Sequence, residues 1–508
     1  MPVVDLGYAQ YQGSYNASSN TTSFLGIRYA APPTGQLRWA APSAPATMSG
    51  IQMATEQPSE CYQAPAGIAA VNPLRNNSMW KRSVTTSEDC LFLNVYVPGG
   101  QILPLTVGGL PVVVWIHGGG YIEGAASMYN GADLIVDSDH RVIVVVIQYR
   151  LGLFGFLPGE AVKQGGALNA GLLDQNYALQ WVQSHIATFG GDPTQVTIWG
   201  ESAGAGSVLQ HLVAHGGNTQ PPLFRAAMTS STFLPSQYNY NDSIPELLYN
   251  EVLNGTGCGS DSDTLSCLRN ADVSALQTVN YNINLAGFYG TFVFVPVVDG
   301  TFIIERPTVT IAKGRLNAEV LLAVTNVNEG TIFVNQSMTL NTSEYILQLF
   351  PKLQPWQAAL ALPLYEPLGT NVEQANLIMG ESIFVCPTYY LLEAFRGKSW
   401  KGEFAVPPAL HGYDVPYYFT SFGTPYNNSQ FITAFSNGFM ALAVSLNPNA
   451  KYNASDITPT WDQWDSGHTE MIFNKTVAGV PDIYAYPTDD AVLDRCRYWH
   501  SVAAWTAQ

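Results

Sequence analysis

Short apolar runs alternate with amphipathic stretches along most of the chain. Runs dense in β-branched residues, which are typical of strands buried on both faces, occupy residues 111–116, 142–147, 196–199 and 319–325. Apolar residues at helical spacing predict helices over 172–189 and around 373–396 and 489–505. Because strands alternate with helices, we predict an α/β fold whose large, mostly parallel central sheet carries helices on both faces.

Composition narrows the class of protein. The 508 residues, 47% of them apolar, contain no repeat, charge block or long linker, so we predict one domain spanning 1–508 with insertions. A net charge of −17 would repel a phosphate backbone, which argues against nucleic acid as a partner. No run approaches the roughly 18 apolar residues of a membrane-spanning helix, so we expect no membrane span.

Cysteines and glycosylation sequons indicate an oxidising compartment. Six cysteines permit many pairings, or could be free buried thiols, and we favour pairing in chain order, Cys61 with Cys90, Cys258 with Cys267 and Cys386 with Cys496. The candidate glycosylation sites are Asn16, Asn20, Asn76, Asn241, Asn254, Asn335, Asn341, Asn427, Asn453 and Asn474. We therefore expect a secreted, extracellular protein. Residues 1–5 lack the pattern of a signal peptide, which we expect to have been removed.

A candidate nucleophile follows the predicted strand 196–199. The residues there are Gly200-Glu201-Ser202-Ala203-Gly204, and 205–215 can form a helix. At such a strand–turn–helix the backbone doubles back so closely that the positions two before and two after the nucleophile require glycine. Both positions have it, so we predict Ser202 as the nucleophile. The alternative is a glycine-rich turn with an inert serine.

A glycine run, His117-Gly118-Gly119-Gly120-Tyr121, follows the predicted strand 111–116. Backbone N–H groups in such a run can face a substrate and stabilise the oxyanion of an acyl-transfer intermediate by about 3 kcal/mol each. We predict an oxyanion hole formed by the N–H groups of Gly119, Gly120 and Ala203. Taken alone, three consecutive glycines would more often form a flexible turn.

A serine nucleophile needs an imidazole to accept its proton and a carboxylate to orient that imidazole. In this architecture both follow the nucleophile, which leaves His211, His215, His411, His468 and His500 as candidate bases. His411 is preferred because it stands in a loop before a glycine. Glu329, in the loop after strand 319–325, is the preferred acid. Asp299 is the runner-up, and Asp414 is too near His411 in sequence to orient it easily.

Several separated motifs together resemble the type-B carboxylesterase and lipase family, the cholinesterase-like branch of the α/β-hydrolases. Besides the two glycine motifs they occupy 24–30, 87–94, 189–193, 294–300, 328–330 and 411–412. The resemblance spans nearly the whole chain and implies a secreted, fungal-type carboxylesterase with the α/β-hydrolase fold. It also implies the triad Ser202, Glu329 and His411, the oxyanion hole above, and the disulfides Cys61–Cys90 and Cys258–Cys267. The pair Cys386 and Cys496 resembles a bridge found in only some members.

By the same resemblance, residues 61–90 form a lid or gorge rim, and the substrate pocket includes Trp80, Tyr121, Glu201, Gly290, Phe292, Ile332 and Phe333. Trp80 could hold a quaternary ammonium by cation–π attraction, although ordinary packing is the commoner role of such a ring. Ile332 stands where the choline pocket has an aromatic residue, which weakens choline specificity. Gly290 stands where a bulky acyl-pocket aromatic is usual, which predicts room for acyl groups larger than acetyl.

The resulting hypothesis is a serine carboxylesterase that forms an acyl-enzyme on small-molecule or lipid esters with short to medium acyl chains. No metal or cofactor is needed for this chemistry. Alternatives are a lipase or sterol esterase acting on long-chain esters, and a cholinesterase-like activity. A different class would be a catalytically silent adhesion or scaffold domain of the same fold. Glu201 is expected either to add negative charge to the gorge or to form structural hydrogen bonds.

Overall fold

Two sheets organise the computed structural model, which describes residues 2–70, 86–100 and 108–508. Their strands are β1 Val3–Asp5, β2 Gln10–Gln12, β3 Ser14–Asn16, β4 Thr21–Arg28, β5 Ile51–Met53, β6 Phe92–Pro98, β7 Leu110–Ile116, β8 Ile143–Ile147, β9 Gly191–Glu201, β10 Ala226–Ser230, β11 Val320–Asn326, β12 Ser399–Phe404, β13 Thr469–Lys475 and β14 Pro481–Pro487. Strands β1, β2 and β5 form a small sheet. The other eleven form the central sheet, in the order β14-β13-β12-β11-β10-β9-β7-β8-β6-β4-β3.

The central sheet is parallel in its middle and antiparallel at its edges. Neighbouring strands pair in parallel from β13 through to β8. The pairs β14–β13, β8–β6, β6–β4 and β4–β3 are antiparallel. The predicted α/β class is confirmed, and the sheet is mixed rather than parallel throughout. Short links such as those from β3 to β4 and from β13 to β14 suffice for antiparallel neighbours, whereas parallel neighbours need a crossover.

Helices cover both faces of this sheet. They are α1 Gly131–Asp137, α2 Gly152–Phe156, α3 Glu160–Gly165, α4 Ala170–His185, α5 Ala203–Gly217, α6 Ser243–Thr256, α7 Thr264–Asn270, α8 Val273–Leu285, α9 Pro307–Ala312, α10 Thr342–Leu349, α11 Pro355–Tyr365, α12 Asn371–Gly380, α13 Cys386–Ala394, α14 Ser429–Ser445, α15 Asp490–Ser501 and α16 Ala503–Thr506. A π-helical turn, Glu381–Val385, joins α12 to α13. The helix predicted around 373–396 therefore consists of two α-helices with a π-helical turn between them.

Apolar cores lie on both faces of the central sheet. In β7, Val112 and Val114 pack into one core, and Val113 and Trp115 pack into the other. This division follows because successive side chains of a strand point to opposite faces. All residues of β8 are buried, as its unbroken apolar run predicts. Among the described residues, no helix has both the length and the apolarity required to cross a membrane.

Three disulfides cross-link the chain, over 29, 9 and 110 positions. They join Cys61 to Cys90, Cys258 to Cys267 and Cys386 to Cys496, which is the pairing in chain order that was favoured. None of the sequon asparagines within the described residues is buried. Asn76 and Trp80 lie outside the described residues, as does part of the predicted rim at 61–90.

Candidate active site

Ser202 stands at the turn between β9 and α5. Its φ of 55° and ψ of −123° place it in a region that serine rarely adopts, and such a conformation persists only where the surroundings hold it. A Cβ atom on Gly204 would lie 2.0 Å from the carbonyl oxygen of Ile116, and one on Gly200 would lie 2.4 Å from the carbonyl carbon of Gly204. Only glycine fits at both positions, so the turn keeps the shape that its glycines predict.

Three backbone amides near Ser202 have no backbone acceptor. Gly119 and Gly120 have φ values of 98° and 61°, and a Cβ on the preceding Gly118 would lie 3.1 Å from Ser202 Cβ. Ala203 is the first residue of α5, where helix N–H groups lack intrahelical partners. Within the described chain, the N–H groups of Gly119, Gly120 and Ala203 donate to no backbone oxygen. These three groups are therefore available to a ligand.

A short hydrogen bond joins His411 to Glu329. The distance between His411 Nδ1 and Glu329 Oε2 is 2.6 Å. Glu329 follows β11 and His411 follows β12, so both lie beyond the carboxyl ends of adjacent parallel strands. The rings of Phe333 and Phe384 lie 4.9 and 4.5 Å from the imidazole and shield it from water. His411 Nε2 makes no hydrogen bond to any described residue and lies 3.2 Å from Glu201 Oε1.

A buried network fixes the other oxygen of Glu329. Glu329 Oε1 accepts hydrogen bonds from Ser231 Oγ and from the N–H of Asn326, each at 2.7 Å. Asn326 Nδ2 in turn donates to Asp414 Oδ1 at 2.9 Å, and the Tyr418 hydroxyl donates to Asp414 Oδ2 at 3.0 Å. Because both oxygens of Glu329 have partners, the carboxylate is held in the orientation that meets His411.

Three acidic residues, Glu201, Glu329 and Asp414, and their burial shift pKa values in the site. Burial raises the pKa of Glu201 to about 8, with His411 opposing this rise and Asp414 and Glu329 adding to it. Burial raises the pKa of Asp414 as well. For His411, burial acts to lower the pKa, but the carboxylates of Glu329 and Glu201 outweigh it and raise the pKa above the usual 6.5. The surroundings therefore favour the protonated imidazolium.

The rival candidates have other partners. Each of the other candidate histidines contacts a different residue. His211 is hydrogen-bonded to Gln175, and the remaining rings pack against other rings: His215 against Phe302, His468 against Trp464 and His500 against Tyr390. Asp299 accepts hydrogen bonds from the N–H groups of Thr301 and Phe302 and so caps a turn. Asp414 bonds to Asn326 and Tyr418 and not to His411. Of the acids considered from sequence, Glu329 alone is bonded to His411.

Potential metal ligands gather away from this site. In the described part of the chain, the group of side chains close enough to share an ion is Cys258, Asp261 and Cys267. Both of its sulfur atoms form a disulfide with each other. A disulfide sulfur is not the thiolate that binds metals, so this group is a poor metal site.

An apolar cavity of about 510 Å³ lies beside the imidazole. Phe333 and Phe384, whose rings pack against His411, belong to its lining, and Leu247 of α6 and Leu349 of α10 line it further along. A Cβ on Gly120 would lie 2.1 Å from the ring of Phe292, another lining residue. The rings of Phe292, Phe333 and Phe384 therefore stand between the cavity and these two parts of the site, and neither Ser202 nor His411 is among the lining residues.

The residues predicted for the substrate pocket divide into two groups. Gly290, Phe292 and Phe333 line the cavity. Gly290 has a φ of 73°, and a Cβ there would lie 2.0 Å from the carbonyl oxygen of Phe333, so a larger residue does not fit. Tyr121 is buried among other rings, and Ile332 is 48% exposed, and neither lines the cavity. Glu201 faces His411 instead.

Comparison with known proteins places the chain among esterases. Residues 1–478 match the model of the carboxylesterase family. The chain belongs to this family. Carboxylesterase patB of Aspergillus clavatus is 32% identical to this esterase over 99% of the chain and 96% of its own length. Secreted triacylglycerol lipase LIP1 of Gibberella zeae is 35% identical, over 66% and 60% of the two chains.

A solved structure agrees with this assignment. Aspergillus niger EstA superimposes on the esterase with a TM-score of 0.87 and 30% identity, covering 100% of this chain and 99% of its own. The predicted family and the α/β-hydrolase fold are confirmed. The chain is accordingly a hydrolase of carboxylic esters.

Sequence reasoning missed part of the esterase's site. Ser231 and Asn326, which hold Glu329, lie at or next to the carboxyl ends of β10 and β11, and this position was the available signal for them. Tyr418 gave no such signal because it lies in an aromatic-rich stretch that is typical of core. Phe384 gave none either, because an aromatic residue within a helical pattern predicts ordinary packing.

Proposed function

We propose that Ser202 is the nucleophile of a two-step ester hydrolysis, with His411 as general base and Glu329 as the group that orients the imidazole. The observation that carries this proposal is the 2.6 Å hydrogen bond between His411 Nδ1 and Glu329 Oε2. An imidazole that donates its Nδ1–H to a carboxylate presents Nε2 as a proton acceptor. His411 Nε2 has no competing hydrogen bond among the described residues.

In the first step, Ser202 Oγ attacks the ester carbonyl carbon while His411 Nε2 takes the hydroxyl proton. The tetrahedral intermediate collapses as the bond to the alcohol oxygen breaks and His411 returns the proton to that oxygen. Water, deprotonated by His411, then attacks the acyl-serine. The acyl–Oγ bond breaks as His411 returns the proton to Ser202 Oγ, and the acid leaves. The N–H groups of Gly119, Gly120 and Ala203 stabilise the oxyanion in both steps by about 3 kcal/mol each.

The acyl group of this ester is proposed to be short to medium in length and to enter the apolar cavity. The cavity volume of about 510 Å³ supports acyl groups larger than acetyl. Hydrolysis of long-chain esters is the second candidate, favoured by the similarity to a triacylglycerol lipase. Rates on a series of p-nitrophenyl esters, from acetate to palmitate, separate the two.

An extracellular location is proposed as well. Three disulfides, the accessible sequon asparagines and the similarity to a secreted lipase support it. Expression with a secretion signal should yield a glycosylated protein without free thiols, which mass spectrometry before and after deglycosylation measures.

Residues 1–508 are proposed to form one domain, in which residues 61–90 form a lid or the rim of the gorge.

Replacing Ser202 by alanine tests the nucleophile. Ser202→Ala should lower kcat for p-nitrophenyl butyrate by a factor on the order of 10⁵, because no other group forms the acyl-enzyme. The fold should be unchanged by circular dichroism. Ser138→Ala, a buried serine at the end of α1, is the matched control and should retain turnover. Undiminished turnover by Ser202→Ala, or wild-type protein left unlabelled by an organophosphate, contradicts the proposal.

A further inference from the structure

A buried ion pair holds the π-helical turn Glu381–Val385. Arg495 of α15 donates hydrogen bonds to both carboxylate oxygens of Glu381, from Nε at 2.8 and 3.0 Å and from Nη2 at 2.7 Å. Glu381 is only 5% exposed and Arg495 only 7%. The disulfide between Cys386 and Cys496 joins the same two segments directly beside the pair. The turn is thus attached to α15 by a salt bridge and a covalent bond.

This pair is better suited to fixing geometry than to adding stability. Burying two charges costs about as much free energy as their attraction returns, and apolar residues of similar size often serve stability equally well. The Tyr365 hydroxyl, which donates to Glu381 Oε2 at 2.6 Å, completes the carboxylate's hydrogen bonds. A π-helical turn is rare and persists where its surroundings hold it. The bidentate contact with Arg495 supplies such a constraint at the first residue of the turn.

The turn and the residue just before it lie against both halves of the acid–base pair. On one side, a Cβ on Gly380, just before the turn, would lie 3.0 Å from the nitrogen of Gly330 and 3.4 Å from Glu329 Cβ. On the other side, Phe384 lies 4.5 Å from the His411 ring. Phe384 and its neighbour Ile383 also line the apolar cavity. The position of this turn therefore decides how much room remains between the cavity wall and the imidazole.

We propose that Arg495 is a positioning residue that sets which acyl groups the esterase accepts, by holding the π-helical turn through Glu381. The inference rests on the proposed function, because it assumes that the acyl group lies in the cavity. The π-helical turn contains one residue more than an α-helical turn. That extra residue rotates every later side chain by about 100° relative to a continuous α-helix. Without Arg495 the turn loses its constraint at Glu381, so Ile383 and Phe384 are held less firmly, while the disulfide at Cys386 keeps the following helix in place. Packing against a long acyl chain is lost, whereas an acetyl group, which touches little of this wall, is less affected.

The test compares a long and a short ester in variants of Arg495. Arg495→Met removes the charge, and Arg495→Lys keeps it but cannot donate two parallel hydrogen bonds. For each variant, kcat and KM are measured on p-nitrophenyl octanoate and p-nitrophenyl acetate. The ratio of the two kcat/KM values, octanoate over acetate, should fall at least about threefold in Arg495→Met, mainly through KM for octanoate. Arg495→Lys should move the ratio in the same direction by less.

Arg38 provides the matched control. It forms an equally short bidentate pair with Glu88, at 2.6 and 2.8 Å, and does not line the cavity. Arg38→Met and Arg38→Lys should leave the selectivity ratio unchanged even where they lower the unfolding temperature. If Arg495→Met does not fold, Arg495→Lys decides alone.

An unchanged ratio in the folded Arg495 variants, or an equal change in the Arg38 variants, overturns the proposal. Failure of the proposed function looks different in the same assay. It would appear as wild-type protein without turnover or as Ser202→Ala with full turnover.

Discussion

The turn at the proposed nucleophile and the proposed acid–base pair lie at the same edge of the sheet, yet different interactions hold them. At Ser202, backbone packs against backbone so closely that Gly200 and Gly204 leave no room for a side chain. At Glu329 and His411, which are 82 positions apart, side-chain hydrogen bonds do the holding. A steric requirement depends on residues that are close in sequence, and one substitution there should disrupt the site completely. A hydrogen-bond network depends on residues far apart in sequence, and each substitution there should cause a partial loss.

The largest expected effect is at the turn. A Cβ on Gly204 would meet the backbone of Ile116 at 2.0 Å, and backbone cannot rotate away as a side chain can. Gly204→Ala should therefore abolish measurable ester turnover and lower the free energy of unfolding by about 3 kcal/mol, measured by urea denaturation. Gly259→Ala is the control, because the nearest atom to its Cβ would be 3.8 Å away. Near-normal activity in Gly204→Ala would show that the turn is not sterically fixed.

A smaller effect is expected at the acid. Glu329→Gln keeps the shape of the side chain but loses the charge that stabilises the imidazolium, so kcat should fall by about 10³-fold to 10⁴-fold. The fold should persist, because a glutamine oxygen can still accept from Ser231 and Asn326. Asp299→Asn, at the runner-up acid, should keep kcat within about threefold in the same assay. If Asp299→Asn lowered kcat more than Glu329→Gln, Asp299 and not Glu329 would be the acid that orients His411.

The same contrast explains what the sequence could predict. The two glycine motifs and the buried strands β7 and β8 were predictable because steric demands and β-branched runs are local signals. The antiparallel edges of the sheet were not, because chain direction depends on connections rather than on the apolar pattern of a strand. The π-helical turn Glu381–Val385 was not predictable for a related reason. One inserted residue leaves helical periodicity nearly intact, and the long-range contact with Arg495 that holds the turn has no sequence pattern.

The smallest effect is expected at Glu201, which belongs to both regions as the last residue of β9 and as a neighbour of His411 Nε2 at 3.2 Å. His411 acts as a base only when neutral, so kcat/KM should fall as the pH drops through its pKa, which the Glu329 and Glu201 carboxylates raise against burial.

Glu201→Gln removes one of these two carboxyl groups. The Glu201 carboxyl raises the pKa of His411 only while it is ionised, and burial raises its own pKa to about 8. The acidic limb of kcat/KM should therefore move to lower pH, while the plateau above it changes by less than about tenfold. Glu305→Gln, a carboxylate paired with Lys313 away from the cavity lining, should leave the profile in place. An acidic limb that stays in place or moves to higher pH would contradict the prediction. It would mean that Glu201 is neutral over this pH range, so that the two regions are electrostatically independent there.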